Sequence, residues 1–119
     1  MRRTHDSMFV MPGLSFQKQY IDPILAGLKR VTVRRPHNHL PHAGDEITLH
    51  NGPRPAFARG RCVDVRPFTL DDCERLFALD GHDSPEAMRD AVAELYGDDA
   101  ELVVVVFRVS RRQGRRVTA

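Results

Sequence analysis

Hydrophobic and polar residues alternate or recur along this chain in short blocks. Leu14-Ser15-Phe16-Gln17 alternates with period two, as a half-buried strand does. Ile21, Ile24, Leu25 and Leu28 then fall at helical spacing on one face of a short helix. Asp22-Pro23 sits in its first turn, where proline is tolerated, and Gly27 lies near its end. From Arg30 to Arg34 the pattern returns to a strand, with Val31 and Val33 on one side and Arg30, Thr32 and Arg34 on the other. Pro36 closes that strand and opens a His/Pro/Asn/Gly loop over 36–44. Ile47 and Leu49 alternate with Glu46, Thr48 and His50 in another strand, and Asn51-Gly52-Pro53 is a turn signal. Phe57 to Val65 reads as a longer strand, with Gly60 as a bulge or bend.

Helical signals follow. Thr69 stands as N-cap to a helix running to about Leu79, with Asp71 and Asp72 in its first turn and Gly81 as its stop. Ser84-Pro85 opens a second helix, serine as cap and proline at the first helical position. Its apolar stripe is Met88, Ala91, Val92 and Leu95, and Gly97 ends it. Leu102 to Val109 is a β-branched run, the pattern of a central strand buried on both faces. The order is strand, helix, three strands, two helices, strand. Without regular β–α alternation this predicts an α+β fold, a small curled sheet or β-barrel with helices packed on its outside.

Composition narrows the picture. With 119 residues, 41% of them hydrophobic, the chain has enough material for one modest core, which argues against two domains and against global disorder. The longest apolar run, Leu102 to Phe107, is far short of the roughly 20 residues that span a bilayer. Met8 to Leu14 is interrupted by Pro12 and lacks a small-residue cleavage site, so it does not read as a signal peptide. The expectation is a cytoplasmic protein without membrane contact. It divides into a loose leader over 1–12, one domain over 13–109 and a basic tail over 110–119. Cys62 and Cys73 form neither a disulfide framework nor a metal-binding spacing, and read as reduced, buried thiols.

The net charge of +2 hides a segregation. Residues 1–66 carry 11 Arg/Lys against 5 Asp/Glu, residues 67–101 carry 2 against 11, and residues 102–119 carry 5 against none. One face is therefore expected to be basic and opposed to an acidic pair of helices. Arginine supplies 16 of the 18 basic residues, which singles out Lys18 and Lys29. Lys29 belongs to the densest segment, Gly27-Leu28-Lys29-Arg30-Val31-Thr32-Val33-Arg34, where three cations crowd one hydroxyl. Like charges lower a lysine pKa, so this cluster reads as a base or nucleophile, as a phosphate or carboxylate site, or as a solvated strand face.

Gly27-x-Lys29-x-x-Thr32-x-Arg34 resembles the G-x-K-x-x-T-x-R signature of the ASCH family, a branch of the PUA-like folds. Further blocks resemble the family in order: Phe16 to Ala26, Ala43-Gly44-Asp45-Glu46-Ile47, Ser84 to Tyr96, and Val103 to Phe107. The resemblance covers about residues 13–109. It implies a PUA-like β-barrel with a cleft, and a role with RNA or modified nucleosides. Some small members are metal-independent amidohydrolases acting on N-acylated cytidine, in which the signature lysine and threonine work with a glutamate before the late helix. Lys29 and Thr32 match the first two. Gly81 stands at the glutamate position, and Asp80 beside it, one methylene shorter, is the nearest carboxylate. The resemblance thus names Lys29, Thr32 and Asp80 as candidate catalytic residues.

The chemistry is coherent: threonine as nucleophile, lysine as base, a carboxylate to assist proton transfer, and Arg34 to stabilise the acyl oxygen. Arg30, Arg34, Arg35 and His37 are candidate substrate- or RNA-binding residues along the cleft rim. No cofactor is implied. His37, His39, His42 and His50 lack partner ligands at metal spacing and read as basic surface. Tyr20, Phe57, Phe68 and Tyr96 read as core rather than base-stacking residues. The rival readings are an RNA-binding module without catalysis and a protein-interaction module using the polarised surface. The assembly expected is a monomer or weak dimer.

Overall fold

The structure, a computed structural model, describes residues 11–112. Five strands form one sheet: β1 (Gly13–Ser15), β2 (Val31–Arg34), β3 (Glu46–His50), β4 (Ala58–Pro67) and β5 (Val103–Arg112). Their spatial order is β1-β3-β4-β5-β2. The β1–β3 pair is parallel and the other pairs are antiparallel. β1 and β2 end the sheet without pairing to each other. The result is a curled half-barrel with an open seam, the α+β architecture expected from the element order.

Alternation fills the concave side. Leu14, Ile47, Leu49, Ala58, Cys62, Val105 and Phe107 form the inner core with Phe16 and Ile24, and the Phe16 and Phe107 rings meet at 5.5 Å. On the convex side, Val33 and Leu102 pack under Cys73, Met88 and Val92, contributed by α2 (Asp72–Leu76) and α3 (Pro85–Tyr96). β5 lies between β4 and β2, and its neighbours Val104 and Val105, on opposite faces, are both fully buried, as the continuous apolar run requires. Gly60 sits at a register shift of β4 against β5. A Cβ there would strike the Arg108 carbonyl, so only glycine permits this approach. Cys62 and Cys73 are buried free thiols.

The helices depart from the sequence pattern in instructive ways. α1 spans only Ile21–Leu25, and Leu28 is 66% exposed. Gly27, at φ +78°, terminates it. Its amide donates to the Ile24 carbonyl and the Leu28 amide to Pro23, the paired bonds of a Schellman motif. Thr69 does not cap α2. Instead the Asp72 carboxylate reaches back to accept from the Thr69 amide at 2.7 Å. Helical turns continue past α2 until Gly81, at φ +95°, ends them with a second Schellman motif: Gly81 donates to Ala78 and His82 to Phe77. The Ser84 cap of α3 holds, its hydroxyl accepting from the Ala87 amide. Leu95, placed by the stripe on the apolar face, is 68% exposed.

β5 extends to Arg112, into the segment read as a tail. Most of the expected leader and tail lies outside the described residues. Among the described residues, no helix is long and apolar enough to cross a membrane.

Candidate functional site: a polar pocket at the seam

Residues of both seam edges line a pocket of about 290 Å³. Ser15, Phe16 and Gln17 come from the β1 side, and Lys29, Thr32, Val33 and Arg34 from the β2 side. Asp80 and His82 come from the turn before α3, while Tyr20, Ala91, Val92, Leu95 and Tyr96 complete the wall. Two glycine-terminated turns deliver the polar groups: Lys29 follows Gly27, and Asp80 and His82 flank Gly81.

Lys29 is 3% exposed and Asp80 7%. The Lys29 ammonium donates to Asp80 Oδ1 at 2.9 Å, to the Asp80 carbonyl at 2.6 Å and to the Val31 carbonyl at 2.8 Å. Three acceptors match the three N–H bonds of an ammonium, so this arrangement describes a charged lysine. Burial lowers the Lys29 pKa from its ordinary value; Asp80 pulls it upward, and Arg34 adds a smaller downward push. Arg30 is exposed and its side chain lies outside the lining. The main cause of the shift is therefore desolvation, where the sequence pattern pointed to crowding by cations.

Thr32 Oγ1 accepts from Arg34 Nε at 3.0 Å, and Lys29 makes no hydrogen bond to it. Arg34 spans the seam, its Nη2 donating to the Ser15 carbonyl at 2.7 Å and its guanidinium carbon lying 5.0 Å from the Phe16 ring centre. The Tyr96 hydroxyl donates to the Val33 carbonyl at 2.9 Å. The Tyr20 ring lies 4.7 Å from the Lys29 nitrogen, and its phenol pKa is raised by burial and by Asp80. Tyr20 and Tyr96 are thus walls of the pocket as well as packing residues. Arg35 stacks on Tyr96 at 5.1 Å, at the rim.

His37 belongs to a different part of the surface, among Asn38, Leu40 and His42. Among the described residues, no three metal-ligating side chains gather.

His82 was not singled out by its sequence pattern. Its side chain is 15% exposed, and Nε2 lies 3.0 Å from Asp80 Oδ2. Asp80 therefore bridges Lys29 on one oxygen and His82 on the other. The available signal was Asp80-Gly81-His82 itself: polar residues on both sides of a helix-stopping glycine.

By sequence, no family model and no curated protein matches the chain. Similar solved structures do exist. A protein of Enterococcus faecalis from the family DUF984 is 20% identical with a TM-score of 0.65, covering 93% of this chain and 88% of its own. The ASCH domain of Lactobacillus crispatus is 18% identical with a TM-score of 0.58, covering 84% of this chain and 79% of its own. An ASCH protein of Zymomonas mobilis is 14% identical with a TM-score of 0.60, covering 81% and 65%. The fold is therefore the ASCH-like, PUA-like α+β half-barrel.

Proposed function

We propose that the seam pocket binds a modified nucleoside and that the protein hydrolyses the exocyclic amide of an N-acylated cytidine there. The observation that carries this reading is the convergence of Lys29, Thr32, Arg34 and Asp80 on one pocket. The likeness of residues 27–34 to the ASCH signature supplies the reaction class. Asp80 stands in for the glutamate that the sequence lacks at Gly81. The volume, about 290 Å³, lies at the lower end of small-molecule sites, which favours a single nucleoside over a stretch of RNA. Phe16, Tyr20 and Tyr96 offer aromatic surface for a base. Thr32 supplies the nucleophilic hydroxyl, and the Arg34 guanidinium beside it stabilises charge on the acyl oxygen.

A second reading is nucleoside binding without turnover. It is favoured by the full set of acceptors around the Lys29 ammonium, which leaves no lone pair to take a proton from Thr32. Incubation with N4-acetylcytidine, followed by chromatography for free cytidine, separates the two. Turnover lost in Thr32→Ala supports hydrolysis. Cytidine binding that Arg34→Ala weakens, without turnover, supports the second reading. Neither turnover nor binding rejects the pocket as a nucleoside site.

A further inference from the structure

Amide hydrolysis at this pocket needs a group that accepts a proton from the nucleophile and returns it to the leaving amine. Lys29 is poorly suited, because its three N–H bonds are already committed to Val31 and Asp80. We propose that His82, held by Asp80, is the proton carrier of the reaction. The inference rests on the hydrolytic reading above and adds a catalytic residue that the ASCH signature does not contain.

The argument is geometric. Asp80 Oδ1 accepts from the Lys29 ammonium at 2.9 Å, and a carboxylate paired in this way offers only acceptors. Its other oxygen, 3.0 Å from His82 Nε2, therefore receives an N–H from the ring. That fixes the tautomer with the proton on Nε2 and leaves Nδ1 as the basic nitrogen. Among the described residues Nδ1 has no hydrogen-bond partner, and it is not a sealed, unsatisfied atom. The side chain is 15% exposed at the pocket wall, within reach of solvent and ligand. A carboxylate that orients an imidazole on the wall of the pocket that also holds Thr32 is the arrangement of a general base.

In the acylation step the Thr32 oxygen bonds to the acyl carbon as its proton moves to His82 Nδ1. The carbon–nitrogen bond then breaks, and Nδ1 returns that proton to the exocyclic amine, releasing cytidine. In deacylation, water gives one proton to Nδ1 as its oxygen attacks the acyl carbon. The proton passes back to Thr32 as the ester bond breaks, and the carboxylic acid leaves. No oxidant or cofactor enters the balance. The titratable and charged groups around His82 are Asp80 on its own turn, Lys29 and Arg34 from β2 and its approach, Tyr20 beside α1, and Tyr96 from α3.

His82→Gln decides the matter, because glutamine sets an amide N–H near the place of Nε2 but has no basic nitrogen to take up a proton. In N4-acetylcytidine kinetics, His82→Gln is expected to keep cytidine affinity and lose kcat by about 10²–10⁴-fold. Nitrogen-15 spectra of the unmutated protein are expected to show the His82 ring protonated on Nε2 at neutral pH. An Nδ1-protonated ring overturns the proposal whatever the substrate. Turnover that His82→Gln preserves within about threefold overturns it while leaving the hydrolytic reading intact. Absence of turnover in the unmutated protein overturns the hydrolytic reading and this role together.

Discussion

Replacing Asp80 with alanine leaves the Lys29 ammonium buried opposite an empty wall. The side chain keeps the Val31 and Asp80 carbonyls but loses its counter-charge, at a site only 3% exposed. Breaking a buried pair by removing one partner costs about 3–5 kcal/mol. For a domain of this size that is a fall in Tm of about 10–20 °C. The cost carries a pH signature. Burial already lowers the Lys29 pKa, and Asp80 is the group that opposes it, so in Asp80→Ala the folded value falls further below the unfolded value of about 10.4. A lysine whose folded pKa lies below its unfolded one penalises the fold fully at low pH. The penalty drains away as pH rises through the folded pKa, because only the unfolded chain then holds the proton. Urea denaturation followed by circular dichroism at pH 6.5 and pH 9.5 reads this directly. The deficit of Asp80→Ala against the unmutated protein is expected to be larger at the lower pH. Adding Lys29→Met is expected to recover part of it. A deficit under about 1 kcal/mol, or an equal deficit at both pH values, refutes the reasoning.

Gly60→Ala forces a methyl group into the Arg108 carbonyl across β5, and is expected to cost about 1–3 kcal/mol in denaturant titration and to speed amide exchange in β4. For Asp72, burial pushes the pKa up, but the Thr69 amide and the Arg66 and Arg75 guanidiniums outweigh it and hold the carboxyl below its ordinary range. Its stabilising contribution is therefore present above the unfolded pKa of about 3.9 and lost as pH falls below it. Thermal melts of Asp72→Asn and the unmutated protein should differ at pH 6 and converge in acid.

Local chemistry made much of the fold legible. Period-two alternation marked the strands, the unbroken apolar run marked β5 as central, and Gly27, Gly60 and Gly81 each punctuate the chain where the pattern put them. Thr32 and Arg34 do share a strand side and a pocket. What local pattern could not supply was distance in space. Lys29 and Asp80 lie 51 positions apart in sequence, so the cation that the segment 27–34 groups with Arg30 and Arg34 is in fact buried against a carboxylate. The helix stripe failed at Leu28 because a glycine cap ended the helix first. It failed at Leu95 because that turn of α3 borders an open pocket. His82 stayed unnoticed because nothing local reveals what lies across from a turn.

The site side chains also answer for the two strand edges that the half-barrel leaves unpaired. Facing the seam, the Ser15 carbonyl is occupied by Arg34, the Val31 carbonyl by Lys29 and the Val33 carbonyl by Tyr96. An unpaired edge is a template on which another chain can add a strand, and these three donors fill its acceptors first. The pocket lining and the cover of the open edge thereby draw on the same residues. Alanine at Lys29, Arg34 or Tyr96 bares edge carbonyls as well as altering the pocket, so self-association of such variants is to be measured before lost turnover is read as lost chemistry.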